Sequence, residues 1–321
     1  MDSITQAALG AAIGEAMLGR KIGSKAAIVG AIIATIPDLD IALLPFYSAV
    51  DRISIHRGFS HSILFSLIGA FLFALVLLKM KWTKEINYSK LWLVSWLALI
   101  THVLLDAFTT YGTQLFLPFS NYRVSFDTIN VVDPFYTVPL LIGLITSLSI
   151  NRFKRSRTKP VLIGLALSTI YLIVTIGVKQ KIENVFDANL AKQGVIYDDL
   201  LTVPVSVGSI NWYGVGKTDE SLFIGKFNVM HGNEIEFMEF PINDSLLSTI
   251  DHKLASTLKW FSKGYYAVAK RGDKIRLYNM QCDMQGVRTY GNYRVPTAFY
   301  FEVIPLDDGS YNLTTGMHKK Q

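Results

Sequence analysis

Residues 62–78 read SILFSLIGAFLFALVLL, an uncharged apolar run that decides the fold of the first part of the chain. A helix of about 20 mostly apolar residues crosses the hydrocarbon core of a bilayer, and about 17 residues are enough. Leu91 to Phe108 and Val161 to Val178 have the same character. We therefore predict that this region forms helices embedded in a membrane.

Three further segments are apolar but less regular: Ala26 to Leu44, Phe135 to Ile150 and Ile4 to Gly19. The last one is short and contains Gln6 and Glu15, so it spans the membrane, re-enters it, or packs inside the bundle away from lipid. A helix lying in the membrane interface is the alternative. The predicted architecture is a mainly α membrane bundle of about five to six transmembrane or re-entrant helices.

The composition of the chain also favours a membrane protein, because 50% of its 321 residues are hydrophobic and only 17% are charged. The apolar blocks end at about Val178, and the rest of the chain is polar and mixed. We predict two domains, a membrane-embedded domain at residues 1–178 and a soluble α+β domain at residues 179–321.

Basic residues concentrate in three loops between the apolar segments, and this predicts the orientation because short cytoplasmic loops retain an excess of Lys and Arg. The three loops carry Arg20, Lys21 and Lys25; Lys79, Lys81, Lys84 and Lys90; and Arg152, Lys154, Arg155, Arg157 and Lys159. With six segments, all three loops fall on the cytoplasmic side and the C-terminal domain is extracytoplasmic. The net charge of +6 then follows from topology, and no nucleic-acid partner is expected.

Ionisable residues inside apolar segments are costly and usually serve a site. Asp38 and Asp40 follow Pro37, which weakens the helix and lets carboxylates and backbone carbonyls converge. His102 and Asp106 are four residues apart, so they project from one helical face.

A third polar group, His56-Arg57-Gly58-Phe59-Ser60-His61, stands at the entrance to the next span. Each group has a simpler explanation: a mutually satisfied His–Asp pair, a turn that ends a helix, or a loop facing lipid headgroups. The predicted topology places all three at the outer mouth of a bundle that is otherwise nearly free of charge. We therefore predict one shared polar site.

Carboxylate and imidazole ligands suit a divalent cation, zinc first and manganese second. A soft metal is less suited, because the single cysteine, Cys282, lies in the other domain and no thiolate is available. A cation with an open position acidifies a bound water and polarises a phosphoryl or carbonyl oxygen. Arg57 and Arg123 are predicted to hold an anionic substrate. We assign Asp40, His56 and Arg57 to catalysis.

Several motifs within about residues 1–145 together resemble the bacterial membrane-bound metal-dependent hydrolase family typified by YdjM and YfhP. They are the start Met1-Asp2-Ser3-Ile4-Thr5, the turn at residues 37–40, the string at residues 56–62, and Thr101-His102 to Asp106 leading into Thr109-Thr110-Tyr111-Gly112. The resemblance implies a location in the bacterial inner membrane.

The resemblance also implies the ligand set Asp38, Asp40, His61, His102 and Asp106, with His56 beside it. The common start of the family has His after Thr5, where this chain has Gln6. The His-x-x-x-Asp element further resembles zinc-dependent phospholipases C and related nucleases, which favours phosphoester hydrolysis.

The C-terminal region shows strand and hairpin patterns. Strands are predicted at residues 222–229 and 235–240, and hairpins across Arg271-Gly272-Asp273 and Asp307-Asp308-Gly309. A helix is predicted from Ser245 to Trp260 with Asp244 as its N-cap.

The favoured function is a membrane-bound metal-dependent hydrolase whose phosphoester or lipid-linked, amphiphilic substrate arrives from the surrounding lipids. The alternative is a binding or regulatory membrane protein with a structural metal site, whose C-terminal domain recognises a protein partner. A transporter ranks third, because it would need polar residues continuing to the inner side, and only Gln6 and Glu15 are available.

Overall fold

The chain divides into two compact units, Met1–Leu44 with Ile55–Ile176, and Pro45–Ser54 with Gly177–Gln321. The structure is a computed structural model that describes residues 1–232, 234–281, 284, 287–290, 293–296, 299–306 and 310–316. Cys282 and the predicted turn Asp307-Asp308-Gly309 lie outside the described residues.

The first part of the chain is helical, as predicted. Its α-helices are α1 (Ser3–Ile22), α2 (Lys25–Thr35), α3 (Ala49–Ile55), α4 (Ile63–Leu78), α5 (Tyr88–Ala107), α6 (Pro134–Ser149) and α7 (Thr158–Lys192). Short 3-10 helices, Pro37–Phe46 after α2 and Phe59–His61 before α4, carry the polar motifs.

Among the described residues, two helices are long and apolar enough to cross a membrane alone, Tyr88–Ala107 and Arg155–Lys192. Two bent pairs raise the number to four if each pair is one span: Lys25–Thr35 with Pro37–Phe46, bent by 40°, and Ala49–His61 with Ile63–Leu78, bent by 54°. Pro134–Ser149 is a shorter apolar helix.

Helix α1 packs inside the bundle, which is one of the alternatives open for the first segment, and does not lie in an interface. Its Gln6 and Glu15 are both 0% exposed. Glycines allow the close approach to α2: a Cβ added at Gly30 would lie 2.0 Å from the Gly10 carbonyl oxygen, and one at Gly14 would lie 2.1 Å from the Ala26 oxygen. Small residues have this role at helix contacts in membranes.

A buried ion pair ties α1 to the start of α7. Arg157 donates from Nε to Glu15 Oε1 at 2.5 Å and from Nη2 to Oε2 at 3.0 Å. Its Nη1 donates to the Ile150 carbonyl oxygen at 2.8 Å. This two-point geometry makes the pair a strong anchor for the loop before α7.

The described strands of the second unit form two four-stranded antiparallel sheets and a two-stranded hairpin, with helix α8 (His252–Phe261) between strands β4 and β5. The first sheet, in the order β1-β2-β3-β4, contains β1 (Asp199–Pro204), β2 (Asn211–Lys217), β3 (Ser221–Asn228) and β4 (Phe237–Pro241). The second, in the order β10-β9-β6-β5, contains β5 (Tyr266–Arg271), β6 (Lys274–Asn279), β9 (Tyr300–Pro305) and β10 (Tyr311–Gly316). The hairpin pairs β7 (Val287–Tyr290) with β8 (Tyr293–Pro296).

The predicted strands and the first predicted hairpin are confirmed, with Gly272 in the left-handed region at φ +60°. The prediction of one helix capped by Asp244 was wrong. A 3-10 helix, Asp244–Thr249, ends at extended Ile250, and α8 then begins with Asp251 as its N-cap, which accepts from the Leu254 amide at 2.9 Å. Asp244 instead accepts from Lys259 Nζ at 2.7 Å.

Glu302 in β9 is held between two cations of β6. Arg276 Nε donates to its Oε1 at 2.6 Å and Lys274 Nζ to its Oε2 at 3.4 Å. Burial alone would raise the pKa of the Glu302 carboxyl, but the hydrogen bond and charge of Arg276, followed by those of Lys274, hold it below its ordinary value.

Candidate metal centre

Four side chains from three separate segments converge within the first unit. Asp38 comes from the 3-10 helix after α2, His61 from the 3-10 helix before α4, and His102 and Asp106 from adjacent turns of α5. One donor atom of each lies within 4.8 Å of the donor atoms of the other three.

The distances between these donors are those of a small coordination polyhedron. His61 Nε2 is 3.3 Å from His102 Nε2, 3.4 Å from Asp38 Oδ1 and 3.3 Å from Asp106 Oδ2. His102 Nε2 is 3.5 Å from Asp38 Oδ1 and 3.6 Å from Asp106 Oδ2. A cation with bonds of about 2.0–2.2 Å, the range of zinc–nitrogen and zinc–oxygen bonds, separates neighbouring tetrahedral ligands by about these five distances. The sixth pair of donors, from Asp38 and Asp106, lies within 4.8 Å. The four residues therefore could hold a divalent cation.

Burial and an unpaired oxygen support the same assignment. His61, His102 and Asp106 are 0% exposed, whereas the Asp38 side chain is 23% exposed. Asp106 Oδ2 is buried and makes no hydrogen bond within the described part of the chain. A buried carboxylate oxygen without a partner is costly, and a cation at the centre of the cluster would satisfy it.

The other oxygen of Asp106 is fully engaged. Oδ1 accepts from Gln6 Nε2 at 3.1 Å, lies 3.3 Å from Arg57 Nη2, and is also contacted by the Met1 amino group. Gln6 Nε2 is in addition 3.3 Å from the His102 carbonyl oxygen. These contacts orient Asp106 so that Oδ2 points to the other three donors.

Asp40 lies beside His61 and outside the cluster of four. Its Oδ2 accepts from the Arg57 amide at 2.9 Å and from Ser60 Oγ at 3.2 Å, and it is 3.6 Å from His61 Nδ1. Its Oδ1 is 3.2 Å from His56 Nδ1. A carboxylate placed on the far nitrogen of a ligating imidazole orients the ring and raises its basicity. The structure thus gives Asp40 a supporting position, and its predicted role as a ligand stays a prediction.

Arg57 occupies a special backbone position. Its φ of 54° is in the left-handed region, which costs free energy for a residue with a side chain. This conformation aims the Arg57 amide at Asp40 while the guanidinium contacts Asp106 and donates from Nη1 to Thr109 Oγ1 at 3.2 Å. One residue thereby links the two acidic motifs.

Tyr111 connects both arginines predicted to bind an anion. The guanidinium carbons of Arg57 and Arg123 lie 4.8 and 4.7 Å from its ring centroid, and the His56 ring meets it edge-on at 5.4 Å. Arg123 Nη2 also donates to the carbonyl oxygens of Tyr111 and Gly112. The arginines are buried, at 8% and 3% exposure, and their predicted binding of an anionic substrate stays a prediction.

Sequence reasoning assigned no role to Tyr111 or Thr109, although both lie in the motif that follows α5. Their aromatic and hydroxyl groups carry no ligand signature, and only the fold brings them against Arg57. The sequence signal that could have identified them is their position, since they follow the His-x-x-x-Asp helix within five residues.

Comparison with known proteins identifies similar sequences. The model of the YdjM inner membrane protein family matches residues 1–182. The uncharacterized protein YfhP of Bacillus subtilis is 36% identical over 151 residues, which cover 45% of each chain. The inner membrane protein YbcI of Escherichia coli is 32% identical over 109 residues, covering 34% of this chain and 61% of the relative. No solved structure matches the chain.

The family model covers more than half of the 321 residues, so the chain belongs to the YdjM inner membrane protein family. An inner-membrane location follows. The matched region contains all four residues of the candidate metal centre. The chain matches less than two thirds of the length of these curated relatives.

Proposed function

We propose that this member of the YdjM inner membrane protein family is a metal-dependent hydrolase that acts on a phosphoester in a lipid-linked or otherwise amphiphilic substrate. The observation that carries the proposal is the cluster of two imidazoles and two carboxylates whose donor atoms lie within 4.8 Å of one another, with one buried carboxylate oxygen that makes no hydrogen bond among the described residues. Zinc is the first candidate for the cation, and manganese is the second.

When bound, such a cation would supply a Lewis acid and an acidified water molecule. The protein supplies the arrangement around it. Asp106 is fixed by Arg57 and Gln6, and His61 is fixed by Ser60 Oγ at 2.9 Å and by Asp40. These contacts hold the donors in one geometry before substrate arrives, which lowers the reorganisation needed during the reaction.

His56 is the side chain proposed to move a proton. Its imidazole is 25% exposed, and its Nδ1 faces Asp40 Oδ1 at 3.2 Å. Because the Asp40 carboxylate engages Nδ1, the other ring nitrogen, Nε2, is available to give or take a proton. Imidazoles that act as general acids or bases have this arrangement. Asp40 is then a positioning residue for both His56 and His61.

The exposed side of the cluster favours an amphiphilic substrate. Asp38 is the one ligand candidate with appreciable exposure, and its neighbours Leu39 and Ile41 are 60% and 56% exposed. In a 3-10 helix, residues three apart share a face, so Ile41 lies on the Asp38 side. A phosphoester attached to an acyl or isoprenoid chain would suit this apolar rim.

The membrane arrangement is part of the proposal. We place about five to six transmembrane or re-entrant helices in the inner membrane, with the basic loops cytoplasmic and the second unit extracytoplasmic. The unequal distribution of Lys and Arg among the loops supports this orientation.

The second candidate function is a binding or regulatory membrane protein with a structural metal, whose second unit recognises a protein partner. A specific observation favours it: the protein offers four donors, the number found in structural sites, whereas catalytic sites usually have three protein ligands and keep one position open. The two candidates differ in whether hydrolysis can be measured.

The test uses purified full-length protein in nanodiscs, with metal content and hydrolysis of phosphodiesters and phospholipids measured side by side. His102→Ala is expected to lose both metal and turnover. His56→Gln is expected to keep the metal and to lower turnover by about 100-fold or more, the size of a general acid–base contribution. His252→Gln, the same change at an exposed histidine of the second unit, is the matched control and should alter neither. Metal-loaded protein that hydrolyses nothing in the panel would favour the structural role instead.

A further inference from the structure

We propose that a groove between α6 and α7 binds one acyl chain of an anionic phospholipid, with the headgroup held by the basic loop before α7. The groove has a volume of about 590 Å3, within the range of about 300–1,000 Å3 typical of small-molecule sites. This inference does not depend on the proposed hydrolase activity.

The close approach of the two helices creates the groove. A Cβ at Gly143 would lie 2.5 Å from the Pro160 carbonyl oxygen, and one at Gly164 would lie 2.7 Å from the Pro139 oxygen. The missing side chains leave a channel beside the helix contact. Larger apolar side chains line it, among them Val138, Ile142, Ile163 and Leu167, which are between 48% and 61% exposed.

The surface of the groove is almost wholly apolar, and a serine and a lysine stand at one of its ends. Ser156 and Lys159 line it beside Ile150, where the loop from α6 enters α7. Lys159 is exposed and makes no ion pair among the described residues. An acyl chain along the helices would therefore place its phosphate beside a hydroxyl and an ammonium group.

The surroundings of Lys159 are strongly and uniformly basic. Residues 134–182 contain no aspartate or glutamate, while Arg152, Lys154 and Arg155 add three more exposed cations in the loop. Arg157 in the same loop is neutralised by Glu15, so that carboxylate is not available to the other cations. Basic pockets between membrane helices attract anionic headgroups, and zwitterionic lipids lack the net charge to match them.

The experiment measures lipid retention on the purified full-length protein by native mass spectrometry, after incubation with mixed detergent micelles that contain phosphatidylglycerol or phosphatidylcholine with the same acyl chains. Phosphatidylglycerol is expected to be retained preferentially. Lys159→Gln should weaken its retention about fivefold, the effect of one cation near a lipid headgroup. Ile163→Trp, which fills the groove, should abolish retention of both lipids.

Lys84→Gln is the matched control, because Lys84 is an exposed lysine in a different basic loop, between α4 and α5. Equal retention of the two lipids, or an equal loss in Lys84→Gln and Lys159→Gln, would overturn the proposal. Conversion of a dimer to a monomer by Ile163→Trp, measured by light scattering, would also overturn it and assign the groove to a second copy of the chain. An unchanged size-exclusion profile and melting temperature in each variant report that the fold is intact.

Discussion

The strongest test of the metal centre is the substitution Asp106→Asn. It keeps the size of the side chain and a carbonyl oxygen that can accept from Gln6, but it removes the charge that faces the two imidazoles. Arg57, 3.3 Å from Oδ1, would at the same time lose its charge partner. The change therefore addresses coordination with little change in packing volume.

The expected magnitude follows from the number of donors. Four-ligand zinc sites in small domains contribute about 10–16 kcal/mol in total, or roughly 2.5–4 kcal/mol for each ligand. At 1.4 kcal/mol per factor of ten, the loss of one ligand should weaken metal affinity by roughly 100-fold to 1,000-fold. Asp40→Asn, which alters the carboxylate beside His61, should weaken it by about 10-fold to 100-fold.

Asp133→Asn is the matched control for burial. Asp133 is 0% exposed, accepts from the Phe135 amide at 3.0 Å and from the Tyr171 hydroxyl at 2.7 Å, and lies outside the cluster of four. Affinity would be measured by competition with a chromophoric chelator in detergent, with size-exclusion profiles recorded for each variant. A metal affinity of Asp106→Asn within about threefold of wild type, or an equal loss in Asp133→Asn, would refute the shared site.

Three further predictions concern packing, orientation and pH. Gly30→Ala should lower the melting temperature, because the added methyl group overpacks the contact of α1 with α2 at a cost of about 1–3 kcal/mol. Gly177→Ala, which has open space around it, should leave the melting temperature unchanged. Equal melting temperatures of the two variants would contradict the close contact of α1 and α2. Reporter fusions should place Arg155 in the cytoplasm and Gly216 outside, and a cytoplasmic signal at Gly216 would reject the orientation. The pKa of Glu302 is lower in the folded protein than its ordinary value, so its pairing with Arg276 and Lys274 stabilises the second unit above pH 4.5. This stabilisation is lost as the pH falls through the folded pKa. In Glu302→Gln, the free energy of unfolding should therefore fall less steeply at acid pH.

Structural features that depend only on residues close together in the chain could be predicted from the sequence. The helical character of the first part followed from apolar runs, since a helix satisfies its own backbone in lipid. The β5–β6 hairpin followed from Gly272 between two strand patterns. His102 and Asp106 were placed together because residues four apart share a helical face, and both are in the cluster.

A prediction from local sequence was wrong where two possible helix caps, Asp244 and Asp251, lie within a few residues of each other. The helix expected at residues 245–260 is divided at Ile250, because Asp251 accepts the Leu254 amide and provides a better cap than Asp244. The sequence contained both aspartates, and in the folded unit Asp244 accepts from Lys259 and Tyr266 while Asp251 caps α8.

The sequence by itself determined a membrane-type helical region, a C-terminal region with α+β patterns and a set of His and Asp residues suited to a metal. Only the tertiary structure decided which carboxylates can meet. Residues two apart in a 3-10 helix point about 120° away from each other, so Asp38 and Asp40 contact different partners here. The Arg57 amide and His56 engage Asp40, which leaves Asp38 for the cluster. These partners are distant along the chain, and no local pattern encodes contacts that arise from packing.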